Sequence, residues 1–197
     1  MNKLHRNFYE RDTLSVAQDL LGKMLYHNSD SGVTVGRIVE TEAYIGPDDK
    51  ASHAYKNRKS KRTPIQYGPG GHAYIYRIYG LHLCFCIVSQ KVGMPEVILI
   101  RALEPIEGID IMMKRRKLSN NDIINLTNGP SKLCVAMGID YSYYAHDLCG
   151  DSLFIISDSN EDDLKIISTP RINIDYADEA SKYPWRFLID GNKFVSK

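Results

Sequence analysis

The chain has 197 residues, 43% of them hydrophobic and 25% charged, with a formal net charge of +1. That length fits one well-buried core and is short for two, so a single domain over residues 1–197 is expected. No run of about 18 apolar residues occurs and the opening MNKLHRNFYERD has no apolar heart, which sets aside membrane insertion and an export signal and leaves the cytoplasm as the expected compartment.

The first periodic segment is residues 12–25, DTLSVAQDLLGKML, where Leu14, Ala17, Leu20, Leu21 and Met24 share one helical stripe behind an Asp12 or Thr13 cap. The alternation in VTVGRIVETEAYI, residues 33–45, predicts a strand. Strand residues two apart share a face, so Ile38, Glu40, Glu42 and Tyr44 are expected to point the same way. Two carboxylates beside a tyrosine mean either a wet edge strand or a proton-transfer site, because crowded carboxylates carry shifted pKa values.

Residues 51–72, ASHAYKNRKSKRTPIQYGPGGH, are polar, basic and glycine-rich without an apolar period, which predicts a loop. GHAYIYRIYGLHLCFCIVSQ, residues 71–90, reads as a hairpin folded about Gly80, with Tyr79, Gly80 and Leu81 at its tip. EVILIRALE, residues 96–104, reads as a buried strand, and Pro105 fits the first position of a helix carrying Ile106, Ile109 and Met113. A further helix opens near GPSKL, with Pro130 in its first turn and Gly138 past its end. Short strands at LFII, KIIS and RFLI complete a mixed α/β pattern of mostly antiparallel strands, and the acidic SDSNEDDLK reads as a solvent-exposed loop.

Charge is unevenly distributed along this order. Residues 51–101 hold eight lysines and arginines against Glu96 alone, whereas residues 145–180 hold nine acids against Lys165 and Arg171. The asymmetry suits one face for a polyanion, or simply an unevenly charged solvated surface. The four cysteines show no C-x-x-C spacing, and Cys84 and Cys86, on one strand face, read as reduced packing thiols rather than zinc ligands.

Paired glutamates, tyrosines, a basic loop and an exposed hairpin tip are the parts of an enzyme that extrudes a nucleotide, stacks its base and fills the gap left behind. GRIVETEAYIGPDDKASH, YGPGGHAYIYRIYG followed by LHLCF, VILIRALEPIEG and NGPSKL, in this order and at these spacings, resemble the alkyladenine (3-methyladenine) DNA glycosylase family of base-excision repair. The resemblance runs from the first helix to about Phe194. It implies an α+β fold: one curved, mostly antiparallel sheet with surrounding helices and a protruding, DNA-inserting β-hairpin. It also implies a monofunctional, monomeric enzyme without a cofactor or metal, acting on double-stranded DNA that contains damaged purines such as 3-methyladenine, 7-methylguanine, hypoxanthine or ethenoadenine.

By matched position, the resemblance makes Glu42 the general base and Arg101 a holder of the attacking water, with Glu40 in support. Tyr44 and Tyr76 would sandwich the flipped base, His53 would meet its edge, and Tyr79 would enter the minor groove. Lys56, Arg58, Lys59, Lys61 and Arg62 would contact phosphates. A carboxylate near C1′ serves both steps of hydrolysis, stabilising positive charge on the sugar and taking a proton from water. The matched motifs contain no active-site lysine, so no Schiff-base nucleophile is evident. Cys86 departs from the family, whose members commonly carry asparagine there, a side chain associated with excluding guanine's 2-amino group; the Gln90–Ile98 linker is slightly long.

Two other readings remain. A non-catalytic or RNA-directed binder on the same fold is disfavoured by Glu42, a carboxylate that would repel a phosphodiester backbone. A metal-dependent nuclease on Glu40, Glu42 and His53 would need more acids near the pair than Asp48 and Asp49 provide.

Overall fold

A computed structural model describes residues 2–119, 122–157 and 164–196. Short helices α1 (Arg6–Tyr9) and α2 (Thr13–Asp19) follow strand β1 (Asn2–Lys3), and α2 is capped by Asp12, whose carboxylate accepts the Ser15 backbone N–H. The expected helix over 12–25 therefore stops early. The chain turns at Gly22, with φ of +84°, and Met24 belongs to strand β2 (Met24–Ser29) instead of the helical stripe.

The remaining elements are β3 (Gly32–Tyr44), β4 (Ala73–Ile78), β5 (His82–Ser89), β6 (Glu96–Glu107), α3 (Ile109–Arg116), α4 (Pro130–Met137), β7 (Leu153–Ser157), β8 (Ile166–Thr169) and β9 (Arg186–Ile189). All nine strands join one antiparallel sheet in the order β1-β7-β2-β3-β6-β5-β4, with β8 and β9 as a branch. The basic segment is a loop broken by short 3₁₀ turns at Tyr55–Asn57 and Pro64–Tyr67. Helix α4 starts at Pro130 and ends at Gly138, with φ of +75°, as its sequence signals require. Pro105 does not open a helix: β6 runs on to Glu107, and left-handed Gly108 begins α3. The acidic residues 158–163 lie outside the described residues.

Strand alternation divides the side chains between two bodies. Ala73, Ile75, Phe85, Ile87, Ile98 and Ile100 enter the main core with α2 and α4 residues such as Ala17 and Leu133. Their neighbours Tyr74, Cys84, Cys86, Val97 and Leu99 form a second cluster with Tyr44 and Tyr76 packed against it. At about 1.5–3 kcal/mol per fully buried large apolar side chain, the first cluster anchors the sheet on which the second is displayed.

Strand β3 is the hinge of this arrangement. Strand β6 follows one of its edges, while β2 takes residues 24–29 along its first half and β9 pairs with Glu40, Thr41 and Glu42 in its second. Three register shifts interrupt the β3–β6 ladder, and two of them flank Glu40. Ile38 faces Leu103 but Glu40 faces Ala102, so β3 carries an extra residue; Thr41 then faces Ile100, so Arg101 is the extra residue on β6. Opposed bulges re-aim side chains while restoring register. They explain why Ile38 is fully buried in the main core rather than sharing the site with Glu40 and Glu42.

Candidate active site

Across the sheet, one row runs Tyr74, Cys86, Leu99, Glu42, Arg186 on five adjacent strands. Glu42 ends up fully buried and bonded on both oxygens. Oε1 accepts the Ile172 backbone N–H at 2.9 Å and pairs with Arg101 Nη1 at 3.2 Å, and Oε2 accepts the Tyr44 hydroxyl at 2.8 Å. Glu40, also fully buried, is held more heavily: Oε1 accepts from Arg101 Nε, Arg186 Nε and Ser196 Oγ, and Oε2 from the Ser196 backbone. Bonds between carboxylates and guanidinium or backbone N–H groups are strong because a full charge is involved. Glu40 thus takes four donors, two of them arginines, whereas Glu42 takes three and Oε2 holds only the neutral Tyr44 hydroxyl among the described residues.

Arg101 bridges the two carboxylates and also donates to Ser196 Oγ. Burial works against its charge, but the fields of Glu42 and Glu40 outweigh that and raise its pKa.

A cavity of about 500 Å³ opens above this floor, lined by Tyr44, His53, Tyr76, Cys86, Arg101 and Ile172 among others, and by no lysine among the described residues. Its size suits a small planar ligand. Tyr74 and Tyr76 stack at 5.3 Å and 25°, and the His53 ring meets Tyr76 edge-on at 4.8 Å. Tyr44 and Tyr76 line the cavity without stacking on each other; behind Tyr44, the Arg171 guanidinium lies 4.7 Å from the ring centroid. His53 Nδ1 is 2.8 Å from the Tyr74 hydroxyl. Burial among neighbouring atoms and the positive Arg62 lower the His53 pKa, which keeps the ring neutral at physiological pH. A neutral ring whose Nδ1 accepts the Tyr74 proton presents Nε2–H as a donor.

Cys84 and Cys86 both line the cavity as free thiols. Burial pushes the Cys84 pKa up to about 11 and raises that of Cys86 as well. The acids argue against the metal reading in positive terms, since Glu40 and Glu42 each have one oxygen on an arginine and the other on a protein N–H or O–H, and Asp49 is paired with Arg171.

The rim contrasts with the floor. Hairpin β4–β5 closes with Ile78 opposite His82, leaving Tyr79, Gly80 and Leu81 as the turn. Tyr79 is 88% and Leu81 85% exposed. Lys56, Arg58, Lys59, Lys61 and Arg62 are all exposed, and no side chain among them makes a hydrogen bond or ion pair with a described residue.

The family model for methylpurine-DNA glycosylase matches residues 7–193. The chain belongs to this family. It is 52% identical over 200 residues to a Clostridium acetobutylicum protein named "Putative 3-methyladenine DNA glycosylase", covering 98% of this chain and 97% of the relative. A Clostridium novyi protein of the same name is 47% identical with full coverage of both chains, and one from Desulfitobacterium hafniense is 45% identical over 100% and 99%. Membership carries a DNA glycosylase role, and with it DNA binding and DNA repair.

Sequence reasoning missed the part of the site that arrives from the C-terminal quarter. Arg171, Ile172, Asn173 and Tyr176 line or support the cavity, and Arg186 and Ser196 hold Glu40. The contact from Ile172 to Glu42 spans 130 positions, and nothing in RINIDY carries a periodic signal that would suggest it. Leu81 stood at the expected hairpin tip, and its apolar character there was an available signal.

Proposed function

We propose that the chain is a monofunctional DNA glycosylase that flips damaged purines out of duplex DNA and hydrolyses their N-glycosidic bond with water activated by Glu42, leaving an abasic site. The observation that carries this reading is a buried carboxylate beneath an aromatic cavity, bonded to its lining residues Arg101, Tyr44 and Ile172. Water reaches Glu42 Oε2 by replacing the Tyr44 hydroxyl, the one neutral side-chain partner. The ionised carboxylate then accepts the water's proton as the sugar becomes positive, and Arg101 keeps it oriented.

In this scheme Tyr76 and Tyr44 supply aromatic faces for the base, and neutral His53 donates from Nε2 to its edge. Cys86, smaller than asparagine and a poor donor, leaves room beside a purine's 2-position. Tyr79, aided by Leu81, fills the space vacated in the duplex, and Lys56, Arg58, Lys59, Lys61 and Arg62 meet phosphates. No lysine lines the cavity among the described residues, which supports water rather than an amine as nucleophile. The enzyme acts as a monomer with no cofactor, and no helix among the described residues is long and apolar enough to cross a membrane.

The test is incubation with duplexes carrying one hypoxanthine, ethenoadenine or methylated purine, in EDTA, followed by alkaline cleavage of abasic sites. Strand breaks at the lesion support the reading. Binding without breaks on every lesion would favour a non-catalytic or RNA-directed binder.

A further inference from the structure

Arg171 lies outside the cavity floor, yet it is one of the most constrained side chains in the protein. It is wholly buried and forks onto Asp49, Nη1 to Oδ2 at 2.5 Å and Nη2 to Oδ1 at 2.9 Å. Its remaining terminal N–H groups donate to the carbonyls of Ala43 at 2.9 Å and Ala180 at 3.1 Å. The guanidinium plane sits between two rings, 4.7 Å from the centroid of Tyr44 and 5.0 Å from that of Trp185. Buried ion pairs seldom add net stability over apolar packing, so such an arrangement asks for a role in specificity or positioning.

Two of the three groups that hold Glu42 depend on this cation. The backbone N–H on Glu42 Oε1 belongs to Ile172, the residue after Arg171, and the hydroxyl on Oε2 belongs to Tyr44, whose ring Arg171 supports. The carbonyl that Arg171 grips on β3 is that of Ala43, between Glu42 and Tyr44. We propose that Arg171, locked by Asp49, is a positioning residue that lays the chain at Ile172 and the ring of Tyr44 onto Glu42 and so fixes the carboxylate's orientation toward the cavity. Arg171 touches neither substrate nor water; it acts through Glu42. The proposal rests on the Glu42 reading for its catalytic consequence, but its structural half stands independently.

Removing Arg171 alone strands the Asp49 charge, and Asp49 also accepts the backbone N–H groups of Ile45 and Ala51, so the informative variant is Arg171→Met with Asp49→Asn, which removes both charges and keeps an acceptor. Hydrogen exchange at the Ile172 amide should accelerate at least about tenfold in this variant while amides in the β3–β6 ladder stay protected. Single-turnover excision should fall by about 10- to 100-fold, by the same factor on every lesion, with duplex affinity within about threefold of wild type. Arg171→Lys keeps the charge but not the fork, and should fall between the two. An Ile172 amide as protected as in wild type overturns the proposal. So does a loss of excision that merely follows lost affinity. If the wild-type protein excises nothing, the glycosylase reading fails and the exchange measurement alone decides for or against the role of Arg171.

Discussion

The floor of the cavity and its rim are built on opposite principles. On the floor and behind it, Glu40, Glu42 and Arg101, and then Arg171 and Asp49, are buried and their charges are matched within the protein. On the rim, five cations of the 56–62 loop and the apolar tip at Tyr79 and Leu81 find no such partners among the described residues. A buried charge network must be satisfied before any ligand arrives, because an unpaired ion in the interior costs several kcal/mol. Exposed cations and aromatic rings bear no such penalty and can wait for a partner. The floor is therefore organised in advance, and the rim is left open to a partner.

If that contrast holds, floor variants change stability or chemistry and rim variants change binding. The largest effect is expected from Glu40→Gln, which takes one charge from a hub that holds Arg101 and Arg186 and should cost about 3 kcal/mol or more in urea unfolding. Glu42→Gln is next. It should cut single-turnover excision at least about 10²-fold while duplex binding survives, and near-normal excision would remove the proposed mechanism.

Rim variants should leave the unfolding midpoint in place. Tyr79→Ser removes a ring that is 88% exposed in the free protein and should slow excision of every lesion from duplex by about tenfold or more, since the gap to be filled is the same. A lesion-selective loss would place Tyr79 in the base pocket instead. Neutralising Lys59 and Lys61 together should weaken damaged and undamaged duplex alike and lower the salt-dependence slope by about one to two. A loss confined to damaged DNA would refute their role on phosphates.

Cys86 stands between the two regions, buried like the floor but lining the cavity. Cys86→Asn should raise the barrier for guanine-derived bases over hypoxanthine or ethenoadenine by about 1–2 kcal/mol, read from single-turnover rates on a matched lesion set. Equal losses on all lesions would show a packing defect rather than a gate.

Much of this was legible in the chain. Period-two alternation separated Tyr74 and Tyr76 from Ala73 and Ile75, Pro130 and Gly138 bounded α4, and Gly80 marked the hairpin tip, because each signal is local: a side chain's face, a fixed φ or a tolerated left-handed residue. The motif around Glu42, together with YGPGGHAYIYRIYG, LHLCF, VILIRALEPIEG and NGPSKL in order, likewise marks the family. Tertiary structure alone decided the rest. Pro105 signals a helix start, yet pairing with β3 held it in a strand, since ladder hydrogen bonds along twelve residues outweigh one residue's preference. The opposed bulges that separate Ile38 from Glu40 and admit Arg101 arise from register across two strands, which neither strand encodes by itself. The hold of Arg171 and Ile172 on β3 depends on chain segments some 130 residues apart meeting in space, and no local pattern records whom a buried charge will meet.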